Sequence, residues 1–210
     1  MWKQLDMPWR IAFEEAWKSY KRGSFPVGAA LMDSYGTFMA SGRNCIKDLE
    51  KNSIHCHPLA HAVINTLLKV QTQKHSKLDE YQLYTTLEPC PLCFGALILS
   101  NVKHLHYAAK DDYAGSSDLT NEYILNHKLE IDGPFDSLSD LQIALITVYL
   151  LENNEGNTEK YFKKWEKTNK CGIVAGKKWY QHNRLKNYKE QDVPFAEVYE
   201  ILLNDLCEIK

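Results

Sequence analysis

The segment spanning residues 81–108 constrains the fold more than any other part of the sequence. Residues 81–87 and 102–108 are apolar-rich stretches of strand length, and residues 91–100 between them have the length and composition of a helix. Two strands joined through a helix pair in parallel, and the crossover places the helix on one face of the sheet. The chain is therefore predicted to be α/β, with a sheet layered between helices.

Further helix and strand periodicity is present on both sides of this segment. Aromatic and apolar residues at helical spacing predict a first helix, which Gly23 ends. Pro58 is placed at or near the first turn of another expected helix, a position where its missing N–H has no cost. The additional elements expected before residue 152 are a helix at 9–20, strands at 25–32 and 37–41, a helix at 58–70 and a helix at 138–151.

Charge and composition divide the chain near residue 152. Residues 1–152 carry 14 Lys and Arg against 18 Asp and Glu, whereas residues 153–210 carry 11 against 9. Residues 152–157 are polar and rich in Asn and Gly, which is typical of a linker. We expect an α/β domain over residues 1–152 and an all-helical C-terminal extension over residues 153–210, with three helices around its aromatic and leucine clusters.

The overall charge excludes one class of function. The chain has 25 Lys and Arg and 27 Asp and Glu, a net charge of −2, so it is not a polyanion binder held by bulk charge. Its longest apolar run spans residues 141–151, well below the roughly 20 residues that a membrane-spanning helix needs. Residues 1–6 carry no apolar stretch typical of a secretory signal. We expect a cytoplasmic protein without a membrane partner, whose six cysteines need not form disulfides.

Cys90 and Cys93 form the most specific chemical motif. A C-x2-C pair at the start of a helix places two sulfurs on one side of the first turn, where the helix dipole favours thiolates. The same spacing occurs in redox dithiols, so the pair alone does not decide between the two functions. His61 supplies a third ligand type, and one imidazole with two thiolates makes a zinc site whose fourth position is open. The alternative is two buried thiols and a core histidine.

These residues lie within stretches that resemble the cytidine/deoxycytidylate deaminase superfamily, and most closely its bacterial tRNA adenosine deaminase and guanine deaminase branch. The resemblance covers about residues 8–152. It implies a three-layer fold with a mixed sheet of about five strands between helices, and zinc held by His61, Cys90 and Cys93. It also implies a dimer, and it places Asn44 near the base that is recognised. The matching stretches are residues 25–29, 42–44, 58–62, 86–93, 95–96, Ser100 and 125–127.

Val63 departs from the family pattern. Active members have a glutamate two residues after the zinc histidine, which takes a proton from water and passes protons to the ring nitrogen and the leaving ammonia. Valine carries no proton, and general acid–base catalysis is typically worth about 10²- to 10⁴-fold. The family reaction is hydrolytic deamination of an amino-purine or cytosine base. We expect that reaction to be weak or absent here. Without it, a purely structural role for the zinc is favoured more than in active members of the family.

Two other functional hypotheses remain open. His55, His57 or a partner subunit could supply the missing proton carrier, which would make the chain an active deaminase. Residues 57–63 also resemble the catalytically silent subunit of the eukaryotic heterodimeric tRNA adenosine deaminase, which has valine at this position, keeps its zinc and helps to hold tRNA. From these resemblances we expect a homodimer or heterodimer whose ligand is a nucleobase, a nucleoside or tRNA. The third hypothesis is a non-catalytic, zinc-stabilised module that binds RNA or protein.

Three weaker signals each have two interpretations. Asn44 either caps a loop or reads the base. Cys45 and Cys56 are either unpaired thiols, like Cys171 and Cys207, or part of a second metal site with His55 or His57. Residues 157–190 carry a net charge of +7 among aromatic residues. They form either an RNA contact surface or, as we favour, helices whose aromatic rings pack on the first domain.

Overall fold

The computed structural model describes residues 2–49, 53–71, 77–154, 156 and 158–209. Five strands and nine α-helices are formed within these ranges, together with short 3₁₀ helices at Trp2–Gln4 and Leu78–Glu80. The strands are β1 (Gly28–Met32), β2 (Phe38–Arg43), β3 (Gln82–Leu87), β4 (His104–Ala109) and β5 (Glu130–Asp132). The helices are α1 (Met7–Lys21), α2 (Ala62–Leu67), α3 (Pro91–Leu99), α4 (Glu122–His127), α5 (Asp136–Asn153), α6 (Thr158–Trp165), α7 (Lys170–Gln181), α8 (Arg184–Glu190) and α9 (Phe195–Ile209).

The five strands form one mixed sheet in the order β2-β1-β3-β4-β5. Strand β1 pairs antiparallel with both β2 and β3, whereas β3–β4 and β4–β5 are parallel. The crossover from β3 through α3 to β4 brings Leu83 opposite Leu105, as the strand–helix–strand pattern predicts. The expected α/β class and the five-stranded mixed sheet are therefore confirmed.

Helices cover both faces of the sheet because successive strand residues point to opposite sides. Leu83 and Leu105 pack with α2 and α3 in one apolar cluster. Tyr84 points the other way, and its ring contacts Trp9 of α1 at 5.2 Å between centroids. The larger cluster on that face joins α1 and α5 to the helices that follow them. The molecule thus has the expected helix–sheet–helix layering.

The helix that follows His61 begins later than the sequence predicts. We expected residues 58–70, with Pro58 near the first turn, but α2 covers only Ala62–Leu67. A turn in which Ala60 N–H donates to His57 O (2.9 Å) occupies the preceding segment. His61 itself is extended, with φ −82° and ψ 153°, and is the N-cap residue. Residues 57–60 form this turn and therefore cannot be part of the helix.

The C-terminal extension forms four helices rather than the expected three. Asn183 adopts a left-handed backbone with φ 51°, which separates α8 from α7. Trp165 of α6 and Trp179 of α7 are fully buried in the cluster that also contains α5. Residues 155 and 157 of the expected linker lie outside the described part of the chain. The division at residue 152 stays a prediction, and the extension shares one core with the sheet domain.

None of the helices in the described ranges combines the length and the apolar character that crossing a membrane requires.

Gly176 permits a close approach between α7 of the extension and α5. A Cβ at this position would lie 2.5 Å from Thr147 Cβ and 2.7 Å from the Ala144 carbonyl oxygen of α5. We expect Gly176→Ala to reduce the free energy of unfolding by about 1–3 kcal/mol, because a close-packed helix pair must separate. Gly95→Ala is the matched control on α3, where no atom lies within 4 Å of the new Cβ. Alanine should stabilise that helix by up to about 1 kcal/mol.

Urea denaturation of both variants against the unaltered chain measures the difference. Equal stabilisation by the two alanines would contradict the close packing of α7 on α5.

Candidate metal centre and adjoining cavity

His61, Cys90 and Cys93 come together as their sequence motifs predict. His61 Nδ1 lies 3.4 Å from the Sγ atom of Cys90 and 3.4 Å from that of Cys93. All three donor atoms fall within 4.8 Å of one another, so the group could hold a metal ion. Two sulfurs and one imidazole nitrogen are ligands that zinc takes in a tetrahedral arrangement, and three protein ligands leave one position open.

Local backbone geometry positions the two sulfurs. Strand β3 ends at Leu87, and Cys90 is the N-cap of α3, with Pro91 at its first helical position. The fixed φ of proline suits that position, and the N–H it lacks would have no partner there. Cys93 follows within the first turn, where Phe94 N–H donates to the Cys90 carbonyl at 2.8 Å. The motif thereby places both sulfurs beyond the carboxyl end of a central strand.

The pKa values of the two thiols shift in opposite directions. The hydrogen bond from Cys93, together with a weaker one to His61, lowers the pKa of Cys90 to about 4. That same bond and burial raise the pKa of Cys93, which hydrogen bonds from the Ile64 and Val63 backbones partly oppose. The lowered pKa favours the thiolate form of Cys90, and thiolates are the form that binds zinc.

A cavity of about 380 Å³ lies beside these three side chains and is called the site cavity below. Polar groups of Asn44, Glu88 and Asp111 contribute to its wall. Its apolar and aromatic lining includes Phe25, Val63 and Tyr161, the last from the C-terminal extension. A concave, mostly apolar space with a few polar groups is typical of small-molecule sites.

Val63 places an apolar side chain in the wall of the site cavity. It is 2% exposed and packs in the cluster that contains Cys93 and Leu97. Its backbone contributes to the hydrogen bonding of the Cys93 sulfur, but its side chain has no group that donates or accepts a proton.

Glu88 is held by the loop that follows β4. Its carboxylate accepts hydrogen bonds from Asp111 N–H at 3.0 Å, from Ser117 N–H at 3.1 Å and from the Ser117 hydroxyl. The loop passes so close that a Cβ on Gly115 would lie 2.2 Å from Glu88 Oε2. Glu88 therefore anchors residues 111–117 against the site.

Asp111 is a site residue that the sequence analysis missed. Its Oδ1 accepts hydrogen bonds from the N–H groups of Tyr113 (3.0 Å) and Ala114 (3.1 Å) and from Trp165 Nε1 (3.1 Å). Burial raises the pKa of this carboxyl. The one available signal was its place directly after a buried strand, where polar residues gather at the sheet edge.

Asn44 contacts the backbone of its own loop and also lines the site cavity. Its Oδ1 accepts a hydrogen bond from Ile46 N–H at 3.1 Å, which stabilises the loop. The residue is 4% exposed and also lines the site cavity. The turn contact is present, and recognition of a base stays a prediction.

His55 and His57 lie apart from the cavity wall. Both are exposed, neither is among the described residues that line the site cavity, and His57 Nδ1 accepts a hydrogen bond from Leu59 N–H at 3.1 Å. Cys45 is buried and Cys56 exposed, and none of the six cysteines forms a disulfide. In the part of the chain that the structure describes, His61, Cys90 and Cys93 form the one group of three or more ligands found.

The aromatic residues of the extension are mostly core residues. Phe162, Trp165 and Trp179 are 6%, 0% and 0% exposed, whereas the basic residues Lys163 and Lys164 face solvent. This burial supports packing over base stacking for these three rings.

Comparison with known families identifies the sheet domain. The model of the cytidine and deoxycytidylate deaminase zinc-binding region matches residues 3–109, half of the chain, including all three candidate ligands. The chain belongs to this deaminase family. Zinc is the metal of the matched region, in agreement with the donor set of His61, Cys90 and Cys93.

Relatives within the deaminase family are named for different bases. The tRNA-specific adenosine deaminase of Bacillus subtilis (strain 168) is 35% identical over 135 residues, which cover 61% of this chain and 78% of the relative. The cytosine deaminase of Candida albicans is 30% identical over 114 residues, covering 54% and 71%. The predicted resemblance to tRNA adenosine deaminases is thus confirmed.

One solved structure shares the fold of this chain. A protein solved in complex with 2,6-diaminopurine superposes with a TM-score of 0.52 at 24% identity, covering 68% of this chain and 79% of that chain.

Proposed function

We propose that this deaminase-family protein holds zinc through His61, Cys90 and Cys93 and binds a nucleobase or nucleoside in the site cavity, with hydrolytic deamination weak or absent. Val63 carries the proposal, because its buried apolar side chain lines the cavity where the reaction needs a proton carrier. Relatives named for adenosine and cytosine deamination support a base with an exocyclic amino group as the ligand.

The requirement for a proton carrier follows from the balance of the reaction. Water adds its oxygen to the ring carbon that bears the amino group, and that amino group leaves as ammonia. Zinc, when bound, supplies Lewis acidity that makes water a better nucleophile. The proton lost by water must still reach the ring nitrogen, and the leaving amine needs another proton. Val63 can neither accept nor donate either one.

The two carboxyl groups of the cavity wall have structural partners. Glu88 accepts three hydrogen bonds from the 111–117 loop, and Asp111 Oδ1 accepts three from that loop and Trp165. A carboxylate committed to several fixed donors is a poor mobile proton carrier, because protonation disrupts those bonds. We assign Glu88 to the architecture of the cavity rather than to the reaction, because both of its carboxylate oxygens accept hydrogen bonds from the loop. Asp111 is positioned by the loop and Trp165 through Oδ1 alone.

Asn44 is proposed to orient the ligand. Its Oδ1 is occupied by Ile46 N–H, which leaves the Nδ2 amide as the group that donates to a ring acceptor. We further propose a cytoplasmic location, where the zinc thiols stay reduced, and a dimeric assembly, as the family resemblance implies.

Asn44→Asp tests the binding function. Aspartate keeps the Oδ1 acceptor for Ile46 N–H but removes the amide donor, so we expect the affinity for the best nucleoside probe to fall about tenfold or more. Isothermal titration of zinc-loaded protein with adenosine, guanosine, cytidine and their free bases measures the change. The exposed Asn121, which caps α4, provides the control variant Asn121→Asp.

Unchanged affinity in Asn44→Asp would remove the proposed role of the amide. The absence of binding by every probe to the unaltered, zinc-loaded chain would overturn the proposed function.

A further inference from the structure

Tyr161 brings the C-terminal extension into the wall of the site cavity. It belongs to α6, yet it lines the same space as Asn44 and Val63. The family match ends at residue 109, so this part of the wall comes from beyond the matched region. Tyr161 packs against the core cluster that the extension shares with α1 and α5, so its place in the wall comes from that joint packing.

The ring of Tyr161 is fixed from two directions. Its centroid lies 4.2 Å from that of Tyr113, on the loop that Glu88 anchors, and 5.1 Å from that of Trp165. Contacts of this kind between aromatic rings contribute about 0.5–1.5 kcal/mol beyond their buried area. Tyr113 and Tyr161 therefore join the 111–117 loop to α6 along one side of the cavity.

Hydrogen bonds fasten α6 and the start of α7 to the same loop. Trp165 Nε1 donates to Asp111 Oδ1 at 3.1 Å inside the core. The Thr168 hydroxyl donates to Asp112 Oδ2 of this loop. Ser139 Oγ of α5 donates to Asn169 Oδ1 at 2.6 Å, which holds the start of α7 against α5 instead. The buried indole contact makes this wall a built part of the cavity rather than a loosely attached segment.

A fixed wall at this place restricts the size of the ligand. A base inside an RNA strand enters a pocket with phosphodiesters on both sides of its ribose, so the side that faces the strand must stay open. The site cavity, at about 380 Å³, lies at the small end of the roughly 300–1,000 Å³ that small-molecule sites occupy. A cavity of this volume holds one base or nucleoside, and the added wall is the feature that favours a free ligand over a base within a strand.

We propose that Tyr161 makes the C-terminal extension the outer wall of the site cavity, where its ring selects free nucleosides or nucleobases over the same base within an RNA strand. This inference rests on the proposed function, since it concerns the ligand of the same cavity. The ring supplies a face on which a monomeric base stacks, and its helix excludes the flanking nucleotides.

Tyr161→Ala and Tyr161→Phe in the zinc-loaded full chain test the selection. Isothermal titration gives the affinity for adenosine, guanosine and cytidine, and competition gives the affinity for short RNA hairpins that carry the same base in the loop. For the unaltered chain and for Tyr161→Phe, we expect the Kd of one nucleoside to be at least tenfold lower than the Kd of the matching hairpin. Tyr161→Ala should weaken nucleoside binding about tenfold, as loss of base stacking does, and should reduce the preference.

Tyr180→Ala is the control, because Tyr180 is an exposed tyrosine on α7 of the same extension. If a hairpin binds the unaltered chain as tightly as the matching nucleoside does, the proposed preference for free nucleosides is overturned. An unchanged preference in Tyr161→Ala would overturn the role of the ring. Binding of no probe by any variant would instead overturn the proposed function, and the inference with it.

Discussion

Replacement of Cys93 by alanine is expected to reduce the zinc content from about one ion per chain to less than a tenth of that value. The variant removes one of the three protein donors, and loss of even an outer partner of a metal ligand costs 10- to 100-fold in affinity. Cys93 is 5% exposed in the cluster formed by α2, α3 and the sheet, so a metal bound to its sulfur and to His61 would link α3 to the start of α2. Because metal binding is coupled to folding, the melting temperature should fall as well.

Elemental analysis after dialysis against a dilute chelator measures the zinc, and calorimetry measures the melting temperature. Cys207→Ala is the matched control, since Cys207 is an exposed thiol near the end of α9. Stoichiometric zinc in Cys93→Ala, or equal loss from Cys207→Ala, would contradict the assignment of the ligands.

Val63→Glu is expected to raise the rate of ammonia release by about 10²- to 10⁴-fold, the usual value of a positioned general acid–base group. The new carboxylate would enter the cavity wall next to the metal ligands and could carry protons between water, ring and amine. Adenosine, guanosine, cytidine and their bases serve as substrates, and an enzyme-coupled ammonia assay measures the rate. Some loss of stability accompanies the change, because the side chain at this position is 2% exposed.

Val63→Gln separates the proton carrier from the change in shape. Glutamine has nearly the same size and hydrogen-bonding reach as glutamate but does not titrate, so this variant should stay as slow as the unaltered chain. If both variants hold zinc and bind a nucleoside, but Val63→Glu is no faster than Val63→Gln, then the missing glutamate does not explain the weak activity.

The central fold and the metal ligands could be predicted because their signals are local. The crossover through α3 follows from strand and helix composition in one 28-residue segment, and the spacing of Cys90 and Cys93 is a property of one helix start. Strand β5 could not be predicted, because it has three residues, all exposed, and lacks an apolar alternation. The turn before His61 was missed since Pro58 is compatible with both a turn and a helix start.

The contribution of the extension to the cavity was not predictable for a different reason. Periodicity in α6 identifies a buried stripe that contains Phe162 and Trp165, but it does not identify the surface that the stripe meets. The contacts of Tyr161 with Tyr113 and of Trp165 with Asp111 join residues about 50 positions apart. Such packing depends on the whole fold, so only the structure shows that an appended helix reaches the site.

Ammonia release by the unaltered, zinc-loaded chain tests the central claim most directly. The assay uses the panel of bases and nucleosides above, with the protein in excess so that a single slow turnover is visible. We expect a rate far below the roughly 1–10³ s⁻¹ of ordinary enzymes, although a nucleoside binds and zinc is present at one ion per chain. Turnover within that ordinary range would contradict the account, because Val63 would then be compatible with efficient deamination.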